Sequence, residues 1–323
     1  MRDEPSKRNL KLATSFIRLF FASFFLLGFK CDAQDLAPRA YLITPTRSNA
    51  VTLTYSFLNG NIQLDGALPI TGATARANVS TLSYYHSFGL LGRSANFTGL
   101  LPYSVGNFHG TVVGAETLAY RSGLLPPTFR FSVNLIGGPA MSLKDFTAWQ
   151  QKTLLGISVR IVPSAGQYDS TKLVNLGTSR WALKPEVGYS HRSGHWILDA
   201  YGGVWFFTEN RNFFSQSESS TTANIQKESP VGSFEGHVSY DVRPRLWISL
   251  DGNFWFGGRT SLNGVPSFAT VQRNSRIGAS ASIPISTHQS VKFSYNDGAY
   301  IRYGGNYQTV SVGWQYSWIG KPD

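Results

Sequence analysis

Apolar residues in this chain fall at every second position through one segment after another, and that period decides what the chain can fold into. In 49–58, Val51, Leu53, Tyr55 and Phe57 share one face, while Thr52, Thr54 and Ser56 share the other. In 128–137, Phe129, Phe131, Val133 and Leu135 oppose Arg130, Ser132 and Asn134. In 276–285, Ile277, Ala279, Ala281, Ile283 and Ile285 oppose Arg276, Gly278, Ser280 and Ser282. Successive strand residues point to opposite faces, so these runs are strands with one apolar and one polar side. A soluble sandwich alternates too, and composition separates the cases. Charged residues make up 15% of the chain, aromatics 14%, and there are 32 glycines, whereas a soluble domain carries about a quarter charged residues. Beyond the N-terminus no run approaches the roughly 18 consecutive apolar residues of a membrane-spanning helix. Alternate residues facing lipid and a polar lumen would produce this pattern.

The first 33 residues have the form of a secretory signal peptide. Arg2, Lys7, Arg8, Lys11 and Arg18 make a basic start, Leu19 to Phe29 is an apolar stretch, and Cys31-Asp32-Ala33 offers small residues where a signal peptidase cleaves. Lys30 stands where acylation of Cys31 would need a small residue, which argues against a lipoprotein. Cleavage after Ala33 leaves no cysteine, and so no disulfide, thiolate metal site or cysteine nucleophile. It also removes six Lys/Arg and three acids, taking the formal charge from +11 to +8. The remaining excess suits anionic lipopolysaccharide around a barrel. Nucleic acid is not an expected partner of an exported chain without a basic helix or zinc framework.

The expected fold is all-β: a single transmembrane, up-and-down antiparallel β-barrel over 49–318. A short periplasmic segment at 34–48 precedes it and a tail at 319–323 follows. Twelve strands are predicted near 49–58, 77–90, 94–104, 127–138, 152–163, 180–191, 195–208, 229–242, 245–257, 273–285, 289–298 and 307–318. Arg192-Ser193-Gly194, Arg243-Pro244 and Ser286-Thr287-His288 are tight turns, while 209–228 and 258–272 are long and polar. Barrels of this kind keep short turns periplasmic and long loops external. Short and long links alternate correctly if 105–126 is one external loop, despite weak alternation in 112–121. The long periplasmic link, Pro139 to Gln151, has room for a short helix. Residues 34–48 are too few for an energy-coupled plug domain, so any transport should be diffusive.

Aromatic spacing gives a ruler. Trp196 opens one strand and Trp205-Phe206-Phe207 closes it; Trp247 opens another and Phe254-Trp255-Phe256 closes it. Ten residues separate Trp196 from Phe206, which at a tilt near 40° spans roughly 25 Å, the height of an outer-membrane apolar band. Trp196, Phe206, Phe254, Phe256, Trp314 and Trp318 are the expected aromatic girdle. The last strand, with Val310, Val312, Trp314, Tyr316 and Trp318 on one face, resembles the terminal signal by which the barrel-assembly machinery accepts its clients. Five residues follow its final aromatic.

Several segments resemble the outer-membrane transporters associated with the meta-pathway of phenol degradation. They are Arg93-Ser94-Ala95-Asn96, Leu101-Pro102-Tyr103, Asn134-Leu135-Ile136-Gly137-Gly138-Pro139-Ala140, Gly166-Gln167-Tyr168-Asp169, Asn175-Leu176-Gly177, Arg180-Trp181 and Lys184-Pro185-Glu186. The similarity runs from about residue 35 to 320. It implies a Gram-negative outer-membrane barrel, reached by Sec-type export and cleavage, that takes up small solutes, aromatic or hydrophobic ones among them. No catalytic or cofactor-binding residue comes with it.

Taking each polar face as lumenal gives cations at Arg130, Arg160, Lys184, Arg276 and Lys292, and anions at Glu186, Asp199, Glu235, Asp241 and Asp251. His237 joins them, with His195 near the rim. A strongly ion-selective pore lines its constriction with one sign. The balance here fits either a weakly selective passage or an interior cross-linked by ion pairs. Tyr201, Trp205, Trp247 and Trp255 fall on the same inward faces, as a stacking track for flat solutes or a bulge near the rim would have it. His191 and Ser193 are close, as nucleophilic hydrolysis would need, but without an oxyanion donor, and 209–228 lacks calcium-loop spacing. Catalysis, cofactors and metals are therefore not expected. The leading reading is a passive outer-membrane channel. The alternative is a structural or adhesive barrel whose external loops bind a partner. Replacing Tyr316 and Trp318 together by polar residues should leave an exported precursor that fails to show heat-modifiable migration on gels. Normal migration would mean the terminal aromatics are no assembly signal.

Overall fold

The computed structural model describes residues 36–63, 70–112, 115–172, 174–213 and 224–321. The expected signal peptide, half of the loop expected at 209–228 and the last two residues of the tail lie outside them. The chain forms a closed barrel of twelve antiparallel strands. These are β1 (Ser48–Gln63), β2 (Ile70–Leu90), β3 (Arg93–Val112), β5 (Thr128–Ile136), β6 (Thr153–Val162), β7 (Ala182–Ser193), β8 (Trp196–Phe207), β11 (Val231–Arg243), β12 (Leu246–Gly257), β15 (Gln272–Pro284), β16 (Gln289–Ile301) and β17 (Gly304–Ile319). Each pairs with the next, and β1 closes on β17 from Ser48 opposite Ile319 to Gln63 opposite Gly304. Closure is what lipid demands, because an unpaired strand edge would strand backbone polar groups where no water can reach them.

The alternation sorts side chains as the period requires. Leu53, Tyr55, Leu82, Tyr84, Leu101, Val187, Ile248 and Leu250 point outward and are exposed on the isolated barrel. Trp196, Phe206, Phe254, Phe256 and Trp314 are likewise outward and exposed, while Trp318 packs on Tyr316 with ring centroids 5.8 Å apart. Ser132, Ser190, Ser239 and Ser249 on the opposite faces are buried.

The start of β1, the end of β17 and the short turns share one end, taken as periplasmic. The turn Leu91-Gly92 has positive φ at both residues, 49° and 76°, as a two-residue turn between twisted strands needs. The periplasmic link after β5 holds α1 (Leu143–Ala148), whose first turn is capped by Ser142 Oγ accepting the Asp145 N–H at 3.3 Å.

The stretch expected as an external loop at 105–126 is different. β3 continues to Val112 and the chain returns as β4 (Ala115–Leu124), antiparallel to it. β4 does not cross the membrane. Ala95–Leu100 of β3 pair with β5, while Tyr103–Val112 pair with β4, so β4 and β5 lie end to end along one strand. The switch falls at Leu125-Pro126-Pro127, where two prolines cannot donate to a ladder and the Leu125 N–H bonds Pro102 O at 3.1 Å. The outer side of this arm mixes polar Asn107 and His109 with exposed Leu118 and Tyr120, and its inner side packs Phe108 and Ala75 on Val174 of an external loop. That is why the alternation there is weak. The barrel is lopsided as a result. β2, with 21 residues, rises roughly 55 Å at a 40° tilt, about twice the height of the apolar band, whereas β5, with nine, barely spans it.

Two other external loops meet in a small sheet of order β14-β13-β10-β9, with β9 (Asn210–Phe213), β10 (Asn224–Glu228), β13 (Thr260–Leu262) and β14 (Val265–Ser267). A tag inserted between Asn263 and Gly264, at the tip of this sheet, should be labelled on intact cells, and one at Gly194 should be labelled only after permeabilisation. The reverse pattern would invert the orientation.

Candidate functional site

The lumen is the candidate site, and strand parity decides what enters it. On β7, Lys184 and Glu186 are two residues apart and share the inner face; on β11, Glu235 and His237 do the same. Register brings these faces together, with His237 opposite Asp199 of β8 on one side and Asp251 of β12 on the other. Lys184 Nζ lies 2.6 Å from Glu186 and 2.9 Å from Glu235. Arg130 of β5 is 3.7 Å from Glu186. His237 Nδ1 is 2.9 Å from Asp251 and its Nε2 3.9 Å from Glu235. Ser249 and Ser280 donate to the other oxygen of Asp251 at 3.2 and 2.9 Å. The result is a belt of alternating charge across β5, β7, β11 and β12, nearly all of it buried. Removing charges from water is tolerated only when each finds an opposite charge and further hydrogen bonds, as here. Of the two arrangements compatible with a balanced lumen, this half of the barrel has the cross-linked one.

The other expected lumenal charges lie around this belt. Arg160 and Lys292 are half-buried on inner faces. Lys292 Nζ sits 5.8 Å from the Trp247 ring. Arg276 is buried, bonding Asn296 at 2.6 Å and the Tyr307 carbonyl at 3.0 Å. Asp241, nearer the periplasmic end, pairs with Arg192 at 2.7 Å. His195 is exposed and bonds the Asp241 carbonyl at 2.8 Å, and His191 bonds Thr153 at 2.9 Å. Toward the external mouth, Trp205 and Trp255 are fully buried with Val162, Ala182 and Val231. Over this apolar layer Arg180 bonds Glu228, Gln272 donates to Glu228 at 3.2 Å, and Trp255 Nε1 donates to Gln272 at 2.8 Å. On the external loops, the Thr171 hydroxyl and Lys172 hold the Asp169 carboxyl down to about 2, and Arg211 and Lys227 lower that of Glu209.

Residues 36–47 supply the part of the site that the strand pattern does not contain. The sequence reading leaves 34–48 on the periplasmic side, whereas the structure threads 36–47 through the lumen as a strap. Arg39 pairs with Asp241 at 2.7 Å, stacks over Trp247 at 4.4 Å, and donates its backbone N–H to Asp199 at 3.2 Å. The Ala40 N–H bonds Tyr201 Oη at 3.0 Å, and Arg130 donates to the Ala40 carbonyl at 3.2 Å. Tyr41 is wholly buried. Its hydroxyl lies 2.9 Å from Ser158 Oγ and 3.0 Å from Glu186 Oε1, and its ring is flanked by Arg130 at 4.6 Å and Tyr201 at 5.1 Å. Thr44 bonds Tyr85 at 2.9 Å, and the Thr46 N–H bonds the Met141 carbonyl at 2.8 Å near the periplasmic rim. The strap thus supplies partners to buried polar groups on four strands.

Two glycines make room for it. Gly156 of β6 and Gly188 of β7 are cross-strand partners. A Cβ at Gly188 would lie 2.0 Å from Tyr41 Cε2, and one at Gly156 would lie 2.6 Å from Cδ1. Glycine on an inward face where a strand should carry a side chain was the available signal, but it does not say what fills the space. On the opposite wall, Thr52, Thr54, Ser56, Thr81, Ser83 and Ser311 face inward and keep partial exposure. On the outer surface beside the slot, Phe131, Val133, Ile157, Val159, Val187 and Val204 line an apolar depression of about 560 Å³ that reaches Ser158 and Glu186. Pro185 lacks the N–H that would complete the ladder with β8, where Lys184 and Pro185 are the residues without a register partner. Gly188→Ala should drive Tyr41 out of its slot at about 1–3 kcal/mol of strain. The barrel should still fold, with faster hydrogen exchange at residues 39–41; unaltered exchange would show that the strap is not held by this contact.

Among curated proteins none matches the chain by sequence. Among solved structures, the COG4313 outer membrane channel from Pseudomonas putida F1 superposes with a TM-score of 0.73 at 16% identity, covering 88% of this chain and all of that one. The beta domain of the Bordetella autotransporter BrkA aligns over 84% of this chain and all of its own at 13% identity, with a TM-score of 0.49. The first likeness establishes a shared fold. The model of the family described as "Putative MetA-pathway of phenol degradation" matches residues 59–307, more than three quarters of the sequence, and the chain belongs to that family of outer-membrane β-barrel proteins.

Proposed function

We propose that this barrel is a narrow, passive channel for small solutes, flat or apolar ones in particular. The observation that carries the reading is the inward aromatic series. Trp255 and Trp205 stand below the external mouth, Tyr201 and Tyr41 midway, and Trp247 toward the periplasmic side, contributed by β8, β12 and the strap. Aromatic faces along a route let a flat solute exchange one stacking partner for the next. The half-exposed hydroxyls of β1, β2 and β17 offer water a separate lane beside the strap. The structural likeness to a protein described as an outer membrane channel supports the same reading.

The lumenal charges do not act as an ion filter in this reading, since the belt from Arg130 to Asp251 is internally neutralised. They hold the walls and the strap. Liposomes containing the purified barrel should take up small monocyclic aromatics and pentoses faster than protein-free liposomes, and should exclude tetrasaccharides. In planar bilayers under a salt gradient the reversal potential should stay near zero. Uptake no faster than the protein-free control would overturn the channel reading and leave the adhesive alternative, in which the external sheet, with exposed Val265 and the adjoining Phe268, meets a partner.

A further inference from the structure

We propose that Arg273 and Arg302, on the outer surface of the barrel at its external rim, bind a phosphate group of an outer-leaflet glycolipid of the lipid A type. The inference rests on the membrane orientation and not on whether the lumen conducts. Strand parity and register bring the two arginines together. On β12, Phe254 and Phe256 point outward and are exposed, and register places Ser275 and Arg273 of β15 opposite them on the same face. On the other side of β15, Ser275 is opposite the exposed Tyr300, and Asn274 is opposite Ile301, the last residue of β16. Arg302 follows directly, alongside Arg273. The buried Asn274 fixes the backbone there: its Oδ1 accepts the Arg302 N–H at 2.8 Å, and its Nδ2 donates to the Tyr303 carbonyl at 3.0 Å.

Like charges side by side on neighbouring strands destabilise a sheet, so this pair calls for an anion. Both side chains are exposed, and neither is ion-paired with a described residue. Asp297 shares the outer face but stands opposite Ile277, four residues along β15 from Arg273, where Gln308 donates to it at 3.3 Å. Cations of the external loops are already engaged: Lys172 pairs with Asp169 at 3.0 Å, Arg211 and Lys227 pair with Glu209 at 2.7 and 3.2 Å, and Arg259 stacks over Phe268 at 5.1 Å. Height points to the source of the anion. Phe254, Phe256 and Tyr300 are exposed aromatics of the kind that marks the level where acyl chains meet headgroups, and the arginines stand at the outer edge of that level. A guanidinium holds phosphate through paired, coplanar N–H donors. Two of them can clasp one phosphate without the divalent cation that otherwise bridges such headgroups, while the acyl chains run down over the exposed Phe254 and Ile277.

The test uses the whole barrel purified in detergent, with bisphosphorylated lipid A as the probe and EDTA present. Native mass spectrometry reads the affinity, and heat-modifiable migration on gels verifies that each variant is folded. Wild type should bind lipid A and melt at a higher temperature with it. Arg273→Gln and Arg302→Gln should each weaken binding about tenfold, the loss expected for one charged hydrogen bond, and the double variant should lose more. The pair Arg211→Gln and Lys227→Gln, which removes the same charge from the external loops, should bind as wild type does. Undiminished binding by the Arg273 and Arg302 double variant would overturn the proposal, and so would an equal loss in the loop control or a requirement for added magnesium. If the double variant does not fold, unchanged affinity in both single variants overturns it. Dephosphorylated lipid A binding as tightly as the bisphosphorylated form would rule out phosphate as the recognised group. Phosphatidylglycerol or inorganic phosphate binding as tightly as lipid A would rule out the glycolipid as the occupant.

Discussion

Lipid offers no hydrogen-bond partner, and everything else in this molecule follows from that constraint. Every strand must find two neighbours, so the sheet closes, and closure creates an interior that the lipid does not touch. The period of two then places half of the side chains in that interior whatever their chemistry. In a twelve-stranded barrel the interior is too wide for the side chains of one wall to fill and too narrow for a general aqueous pore. This chain meets the difficulty in two ways. Across β5 to β12 it runs a belt of paired charges from Arg130 to Asp251, and into the remaining space it threads its own residues 36–47, anchored by Arg39 and Tyr41.

The barrel was legible because lipid writes its demand on every second residue. Val51 to Phe57 and Phe129 to Leu135 carry an apolar and a polar face in strict alternation, and the structure pairs both runs as barrel strands. β4 was illegible for the complementary reason. Above the membrane nothing requires an apolar face, so Glu116, Tyr120 and Arg121 carry no period, and the division of β3 between β4 and β5 depends on Pro126 and Pro127 rather than on any repeat.

Parity also shows which ionisable groups face inward, but it does not show who meets whom. That Lys184 lies between Glu186 and Glu235, and His237 between Glu235 and Asp251, depends on cross-strand register, which is fixed by turn lengths and closure together. The strap was hidden more completely. Residues 36–47 have neither period nor motif, and Tyr41 becomes meaningful only opposite Gly156 and Gly188, more than a hundred residues away in sequence. The glycines were visible, but their use was not.

That separation bears on the order in which the molecule can be made. The strap is the first part of the described chain to emerge, yet its partners Asp199, Tyr201, Ser158 and Glu186 lie 117 to 161 residues further on. Contacts so distant form only after the intervening chain has been arranged, since the loop entropy must be met before they contribute anything. Strands β5 to β12 must therefore be in register before Tyr41 has a slot to enter. The N-terminal residues begin their history outside a wall that does not yet exist and end it enclosed by that wall. An assembling barrel of this kind passes through a stage with its wall built and its centre vacant, a wider and leakier object than the finished one, until the earliest-made residues are drawn in last.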